Sequence, residues 1–403
     1  MINYKESRKI CTEQSRLTEK VFDNFLMNYA ASRNSLEKTM VKEFMKYRHI
    51  LDSLPEDSVS RFMAQYIAHK LFGKDGNINK LITHAELKHL DSESMQFLQR
   101  QIENPWRFSF SVITSNPQKD FFLMEDVFTQ DEYLLYSPGI TQTIEERHPW
   151  LWFNLIAFNS HCWQTFGPIA GYMSFSPDDI FFFATELDSG IESDEELLEH
   201  ISSNPVPYMM LISESDLPAI KQRDDMAIHC ISEIETEMPS RLGPQNGFRK
   251  EYNKNVYRFS MKEWSDFPHM AHAFYDESKG IMRVSAMTER GYDAIARAIN
   301  EAGYHLPVES DIRVSTTMVI AASKITGRPI NISEYENLFV KESTPEEEET
   351  LEALNRFIEL IMPEINYGRK PDIDKMAAAA GLDIENARGI YEQISKMDFG
   401  SPE

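Results

Sequence analysis

Phe121-Phe122-Leu123-Met124-Glu125-Asp126-Val127-Phe128-Thr129 is the run that decides the fold. Phe121, Leu123 and Glu125 alternate with Phe122, Met124 and Asp126, the period of two that a strand with two distinct faces requires. Thr129-Gln130-Asp131 then supplies turn chemistry. The surroundings stay aromatic. From Pro105 to Ala184 the chain carries Trp106, Trp150, Trp152 and Trp163, four of its five tryptophans, and rings of that size need a core. Asn116-Pro117, Pro138-Gly139, Gly167-Pro168 and Pro177-Asp178 break the block at intervals, so residues 105–185 read as a compact, barrel-like β module.

The flanks change period. Upstream, Leu17, Val21, Phe22, Phe25, Leu26 and Tyr29 recur at three- and four-residue spacing. Leu36, Met40, Phe44 and Leu51 do the same, as do Val59, Phe62, Met63, Tyr66 and Ile67. Residues 1–104 are therefore expected to be a helical bundle, with Asn34 and Glu37 as a capping box and Asp91–Glu103 as the last helix before Trp106. Residues 186–255 read as a mixed connecting segment. Its acidic stretch Asp188–Glu199 begins a helix, and Pro239–Asn255 reads as a linker.

Residues 256–342 read as an α+β sandwich unit. Ala271–Asp276 and Ile281–Ala286 form a hairpin around Glu277-Ser278-Lys279-Gly280, Thr288 caps a helix that Gly303 stops, and Ile312–Ile320 reads as a further strand. Residues 343–403 are helical, opening on Thr344-Pro345-Glu346-Glu347 and ending in a pair separated by Gly381-Leu382. The fold class is thus α+β and multi-domain.

Charge narrows the partners. Among 403 residues, 64 acidic against 41 basic side chains give a formal charge of −23, which repels phosphate backbones and anionic membranes. Nucleic acid is disfavoured, no membrane segment is expected, and a protein partner is the default. Arg249-Lys250 with Lys254, and Gly368-Arg369-Lys370, are short basic runs interrupted by acids, as solvated loops are. Cys11, Cys162 and Cys230 are too few and too scattered for a disulfide framework, which fits a reducing cytoplasm.

Between Leu87 and Ala184 the runs Phe108–Val112, Phe121–Thr129 with Glu132-Tyr133, Leu151–Phe158 and Trp163-Gln164-Thr165-Phe166-Gly167-Pro168 resemble the small β module found in bacterial SEC-C-associated proteins of unassigned role, where it follows a helical segment. The resemblance implies a small barrel and a cytoplasmic bacterial protein. It transfers no catalytic residue. The SEC-C zinc motif itself needs closely spaced Cys and His near the chain end, and no cysteine follows Cys230.

Chemistry has few candidates. His161-Cys162, His229-Cys230 and His269-x-x-His272 contain ligand types that suit zinc, but neighbouring strand residues face opposite ways and none has Cys-x-x-Cys spacing. No metal and no cofactor are expected. A nucleophile such as Cys162 or Ser285 lacks a motif around it. Asp178, Asp179, Glu186 and Asp188 follow the aromatic block and offer paired carboxylates for hydrolysis beside an aromatic groove, against the plainer reading of a turn and a helix start. Gly73-Lys74-Asp75-Gly76 is no phosphate loop. Ile373–Ala380 and Ile384–Ile394 have helix-turn-helix proportions, yet the second helix sets Glu385 and Glu392 beside Asn386 and Arg388. The expected function is a non-catalytic interaction or regulatory scaffold, with a carboxylate hydrolase as the alternative and nucleic-acid binding behind it.

Overall fold

The computed structural model describes residues 3–27, 29, 36–84, 87, 89–146, 148–222, 225–339, 345–366 and 369–396. The chain is mixed helix and sheet and divides into two compact units, Met1–Ala219 with Ile312–Ile330, and Ile220–Asp311 with Asn331–Glu403. Both are discontinuous in sequence, whereas the sequence reading divided the chain into consecutive blocks. Among the described residues no helix is long and apolar enough to cross a membrane.

In the first unit, helix α1 (Tyr4–Thr18) starts where the Asn3 side chain accepts from the Glu6 amide at 3.3 Å. It runs without a break into a π-helical stretch, Glu19–Leu26. Helices Leu36–Met45, Glu56–Phe72 and Ser92–Glu103 follow, with the one-turn helices Arg48–Leu51 and Ile78–Leu81 between them. The expected cap Asn34 lies outside the described residues. Trp106 joins helices to sheet: its amide donates to the Phe72 carbonyl at 2.9 Å and its indole to Gln101 Oε1 at 2.7 Å.

The expected barrel is present. Strands β1 (Arg107–Gln118), β2 (Phe121–Asp126), β3 (Glu132–Tyr136), β4 (Leu151–Phe158) and β5 (Trp163–Tyr172) close in the order β1-β2-β3-β5-β4. Only the β3–β5 pairing is parallel. Alternation does the sorting, because a period of two sends Phe122, Met124, Tyr133, Leu135, Trp152 and Ile156 into one cluster at the barrel centre. A polar thread runs through it. Asp126 Oδ2 accepts from Ser109 Oγ at 2.7 Å, and Asp126 Oδ1 accepts from the amides of Phe128 and Thr129 at 3.1 Å each, which closes the Thr129-Gln130-Asp131 turn. The opposite face of β1 and β4 carries a second aromatic layer, with Phe110 4.4 Å from Phe153 and 6.3 Å from Tyr208, centroid to centroid.

In the second unit, β6 (Ile228–Glu235), β7 (Phe248–Asn253), β8 (Val256–Met261), β9 (His272–Asp276) and β10 (Ile281–Ala286) pair antiparallel in the order β6-β10-β9-β8-β7. The β9–β10 hairpin turns at Gly280, whose φ of 68° only glycine adopts without strain. Thr288 Oγ1 caps helix α2 (Glu289–Glu301) by accepting from the Gly291 amide at 3.1 Å, and Tyr292, Ile295, Ala296 and Ile299 pack on Phe259, Ala273, Met282 and Val284.

Three segments differ from the sequence reading. Residues 239–255 are not a plain linker, since they contain β7; Arg249, Lys250 and Tyr252 are exposed on both faces of this edge strand, so the segment lacks the alternation that marks a half-buried strand. Ile312–Ile320 is extended only over Ile312–Ser315. There the Ser315 hydroxyl accepts from the Met318 amide at 3.1 Å and starts helix Thr316–Thr326, so a local cap outweighs the β-branched run. Strand β6 has no counterpart in the reading. At the end of the chain, helices Pro345–Asn366, Ile373–Ala380 and Ile384–Lys396 pack through Phe357, Ile361, Ala377 and Ala387, with Gly381 at φ 76° between the last two. The expected cap Thr344 lies outside the described residues.

Candidate functional site

The acidic candidates do not converge. Asp178 and Asp179 open helix Pro177–Leu187 and Glu186 and Asp188 close it, about 13 Å apart at the helical rise. Asp178 pairs with Arg313 at 3.2 Å, Glu186 with Arg328 at 2.6 Å, and Asp188 Oδ1 accepts from the Gly190 amide at 3.0 Å. Asp179 is buried. Its carboxylate accepts from the amide and hydroxyl of Ser176 at 2.6 and 2.9 Å and from the Ser315 amide at 2.7 Å, forming a reciprocal capping box that also anchors the neighbouring segment. Burial pushes its carboxyl up and those donors pull it back. Asp179→Ala is expected to cost about 2–3 kcal/mol in urea unfolding, because two backbone amides lose their acceptor. A loss below 1 kcal/mol would contradict this anchoring role.

The ligand types suggested for zinc do not come together. His161 is exposed while its neighbour Cys162 is buried, the opposed orientation that adjacency implies. His269 Nδ1 lies 2.7 Å from Thr288 Oγ1, and His272 Nδ1 lies 2.9 Å from Ser260 Oγ. Among the described residues no group of three or more His, Cys, Asp or Glu is placed to hold a metal. Ser285 is the cross-strand neighbour of His272, but its hydroxyl donates to the Glu336 carboxylate. On the proposed reader helix, Arg388 is forked onto Asp374 at 2.7 and 3.0 Å.

What the structure does bring together lies where α1 meets the barrel. Ser7, Cys11, Gln14 and Thr18 are all buried, at spacings of four, three and four, so a polar stripe of the helix faces inward. Arg8 pins the first turns, with Nη1 2.7 Å from Asp120 Oδ2 and Nη2 donating to the Lys119 carbonyl at 2.7 Å. One turn on, Cys11 Sγ lies 3.4 Å from Cys162 Sγ, beneath Phe121, Tyr4 and Tyr136.

Asn159 builds the sulfur end of this site. Its Oδ1 accepts from the amides of His161 and Cys162 at 3.1 and 3.0 Å, closing the β4–β5 turn in which Ser160 adopts φ 74°. That leaves Nδ2 to donate to Cys11 Sγ at 3.2 Å and, at 3.8 Å, to Cys162 Sγ. The two thiols are thereby made unequal. Hydrogen bonding from Cys162, with Asn159 and nearby Arg8, brings Cys11 below the usual thiol value against the pull of burial. The same bond and burial push Cys162 up.

Farther along α1 a cavity of about 200 Å³ opens against β5. Gln14 and Gln164 line it; the buried Gln14 amide and the buried Gln164 Oε1 have no hydrogen-bond partner among the described residues, while Gln164 Nε2 donates to Ser15 Oγ at 2.6 Å. Trp106 and Phe166 form the apolar wall, with ring centroids 5.1 Å apart. Asp23, carried by the π-helical stretch, stands at the rim, and crowding around it pushes its carboxyl up, with Glu19 adding to the effect.

The sequence reading names Cys11 only as one of three scattered cysteines and Cys162 as a metal ligand or nucleophile, and does not pair them. The four-three-four spacing of Ser7, Cys11, Gln14 and Thr18 was the available signal. No protein-family model, curated protein or solved structure matches this chain.

Proposed function

We propose that the protein is a non-catalytic regulatory scaffold whose N-terminal helix is held on, or released from, the barrel by thiol–disulfide chemistry between Cys11 and Cys162. The observation that supports this reading is the 3.4 Å separation of the two sulfurs. A disulfide needs about 2.05 Å, so bonding requires a movement of roughly 1.4 Å, within the reach of side-chain rotation. Cys11 rides on the helix that moves and takes the attacking role. The Cys11 thiolate attacks one sulfur of a low-molecular-weight disulfide and expels one thiolate. Cys162, losing its proton to that leaving group, then attacks the Cys11 sulfur of the mixed disulfide and expels the second thiolate. Two protein thiols are oxidised and one small disulfide is reduced to two thiols.

Burial sets the timing. Cys11 and Cys162 are 0% and 2% exposed, so a reagent reaches them only when α1 lifts, and the bond that forms on reclosure fixes the docked state. Such a bond bridges a long loop, and the chain-entropy account gives it a stabilisation of about 4–5 kcal/mol. Incubation of the full chain with glutathione disulfide is expected to yield one intramolecular Cys11–Cys162 link by peptide mass mapping, with a higher unfolding midpoint that dithiothreitol reverses. Cys11→Ser and Cys162→Ser should each abolish both effects. Glutathione attached stably to Cys11 or Cys162 without closure, or an oxidised protein no more stable than the reduced one, would sink the proposal.

A further inference from the structure

We propose that the oxidant of the Cys11–Cys162 pair is a carboxylate-bearing disulfide, recognised by Arg8 when α1 lifts from the barrel. This rests on the thiol–disulfide reading and adds to it the class of small disulfide and the residue that selects it.

Arg8 stands one helical turn before Cys11 on the same side of α1, so the two side chains travel together when the helix moves. In the docked state Nη1 meets Asp120 Oδ2 and Nη2 donates to the Lys119 carbonyl, each at 2.7 Å, while the side chain stays 40% exposed. Its Cζ also lies 5.6 and 5.7 Å from the Phe121 and Tyr136 ring centroids. Every one of these partners belongs to the barrel. Lifting α1 therefore uncovers Cys11 and frees Arg8 in a single movement. A guanidinium that gives up one carboxylate can take another in the same planar fork, a geometry that an ammonium or a neutral group does not offer. A disulfide with a carboxylate a few bonds from its sulfur meets both groups at once.

Local charge favours the same choice, against the overall −23. At physiological ionic strength exposed charges are screened over about 8 Å, so acids beyond that reach count little. In the first two turns of α1 and the turn between β1 and β2, Lys5, Arg8, Lys9 and Lys119 stand against Glu6 and Asp120, and all three lysines are exposed. A dicationic disulfide is repelled by that excess of cations, and a neutral one gains nothing from Arg8. The exchange itself balances as before. The Cys11 thiolate bonds to one sulfur and the first carboxylate-bearing thiolate leaves. Cys162 gives that thiolate its proton, attacks the Cys11 sulfur and displaces the second, so two protein thiols are oxidised and one disulfide becomes two thiols.

The test compares rates on the reduced full-length protein with dithiodipropionate, hydroxyethyl disulfide and cystamine, which have similar shapes and are dianionic, neutral and dicationic. Closure of the Cys11–Cys162 link is followed by peptide mass mapping. Each rate is divided by that of the same reagent with uncharged N-acetylcysteinamide, which removes differences in leaving group. At about 10 mM salt the normalised rate is expected to be about tenfold or more higher for dithiodipropionate than for cystamine, with hydroxyethyl disulfide between them. In about 1 M salt, where the Debye length is about 3 Å, the ratio should narrow to about threefold or less. Arg8→Gln removes docking contacts as well as charge, but a change in how often α1 lifts affects all three reagents alike, so the ratio reads recognition alone. It should fall to about threefold or less, and Arg8→Lys, which keeps the charge without the fork, should retain part of it. Equal normalised rates, a preference for cystamine, or a carboxylate preference undiminished in Arg8→Gln would each overturn this assignment alone. No closure with any of the three reagents would remove the thiol–disulfide reading and the assignment with it.

Discussion

Phe110→Ala is expected to lower the unfolding free energy of the barrel unit by about 4 kcal/mol, the largest effect of any single substitution considered for it. Phe110 is 1% exposed, lies 4.4 Å from Phe153 in a near-parallel stack, and also meets Phe128, Tyr172 and Tyr208. Truncation leaves a cavity walled by rings. Rings on β1, β4 and β5 are held by strand pairing on both sides and relax little into such a hole, so the transfer and cavity contributions add, with about 1 kcal/mol more from the lost aromatic pairs. Urea unfolding followed by tryptophan fluorescence measures it, since Trp106 and Trp152 belong to the same unit. A loss under 2 kcal/mol would mean that the aromatic layer collapses onto the gap.

Acidification is expected to destabilise the same unit by about 2.5 kcal/mol between pH 7 and pH 4.5 through His69 alone. His69 is 4% exposed, sits 4.8 Å from the Phe108 ring, and has an Nδ1 with no partner among the described residues. Burial, assisted by Lys70, depresses its imidazole to about 3. The sign follows from the direction of the shift. The unfolded imidazole takes up a proton near its ordinary value of about 6.5 while the folded one stays neutral, so stability is intact above 6.5 and falls as pH drops toward 3. His69→Leu should remove one proton from the pH slope of unfolding over that window. If the wild type and the variant lose stability in parallel, His69 is not the acid-sensitive group. His229 and His272 in the second unit are depressed to about 4, mainly by burial, and add the same sign of dependence there.

Much of the fold was legible because it rests on local rules. The alternation at Phe121–Asp126, the Gly280 hairpin, the Thr288 cap and the stop near Gly381 all declare themselves within a few residues. The site was not legible in that way. Cys11 and Cys162 are 151 positions apart, and their meeting depends on where α1 lands on the barrel, which no local pattern encodes. Polar residues on a buried helix face also defeat a reading keyed to apolar periodicity: the stripe Ser7, Cys11, Gln14, Thr18 scores as solvent-facing. Conversely, the acidic cluster from Asp178 to Asp188 looked like chemistry because four carboxylates crowd in sequence. A helix between them separates its ends, and their partners Arg313, Ser315 and Arg328 lie more than a hundred residues downstream.

Those downstream partners also order events on the ribosome. The first unit spans Met1–Ala219 but is completed only by Ile312–Ile330, with all of Ile220–Asp311 emerging in between. At ordinary elongation speeds Asp179 waits on the order of ten seconds for the Ser315 amide that satisfies it. The nascent barrel must therefore persist through that interval without its last segment. Translation speed across Ile220–Asp311 becomes a determinant of yield, and synonymous codon changes there should alter how much protein matures without changing a single residue.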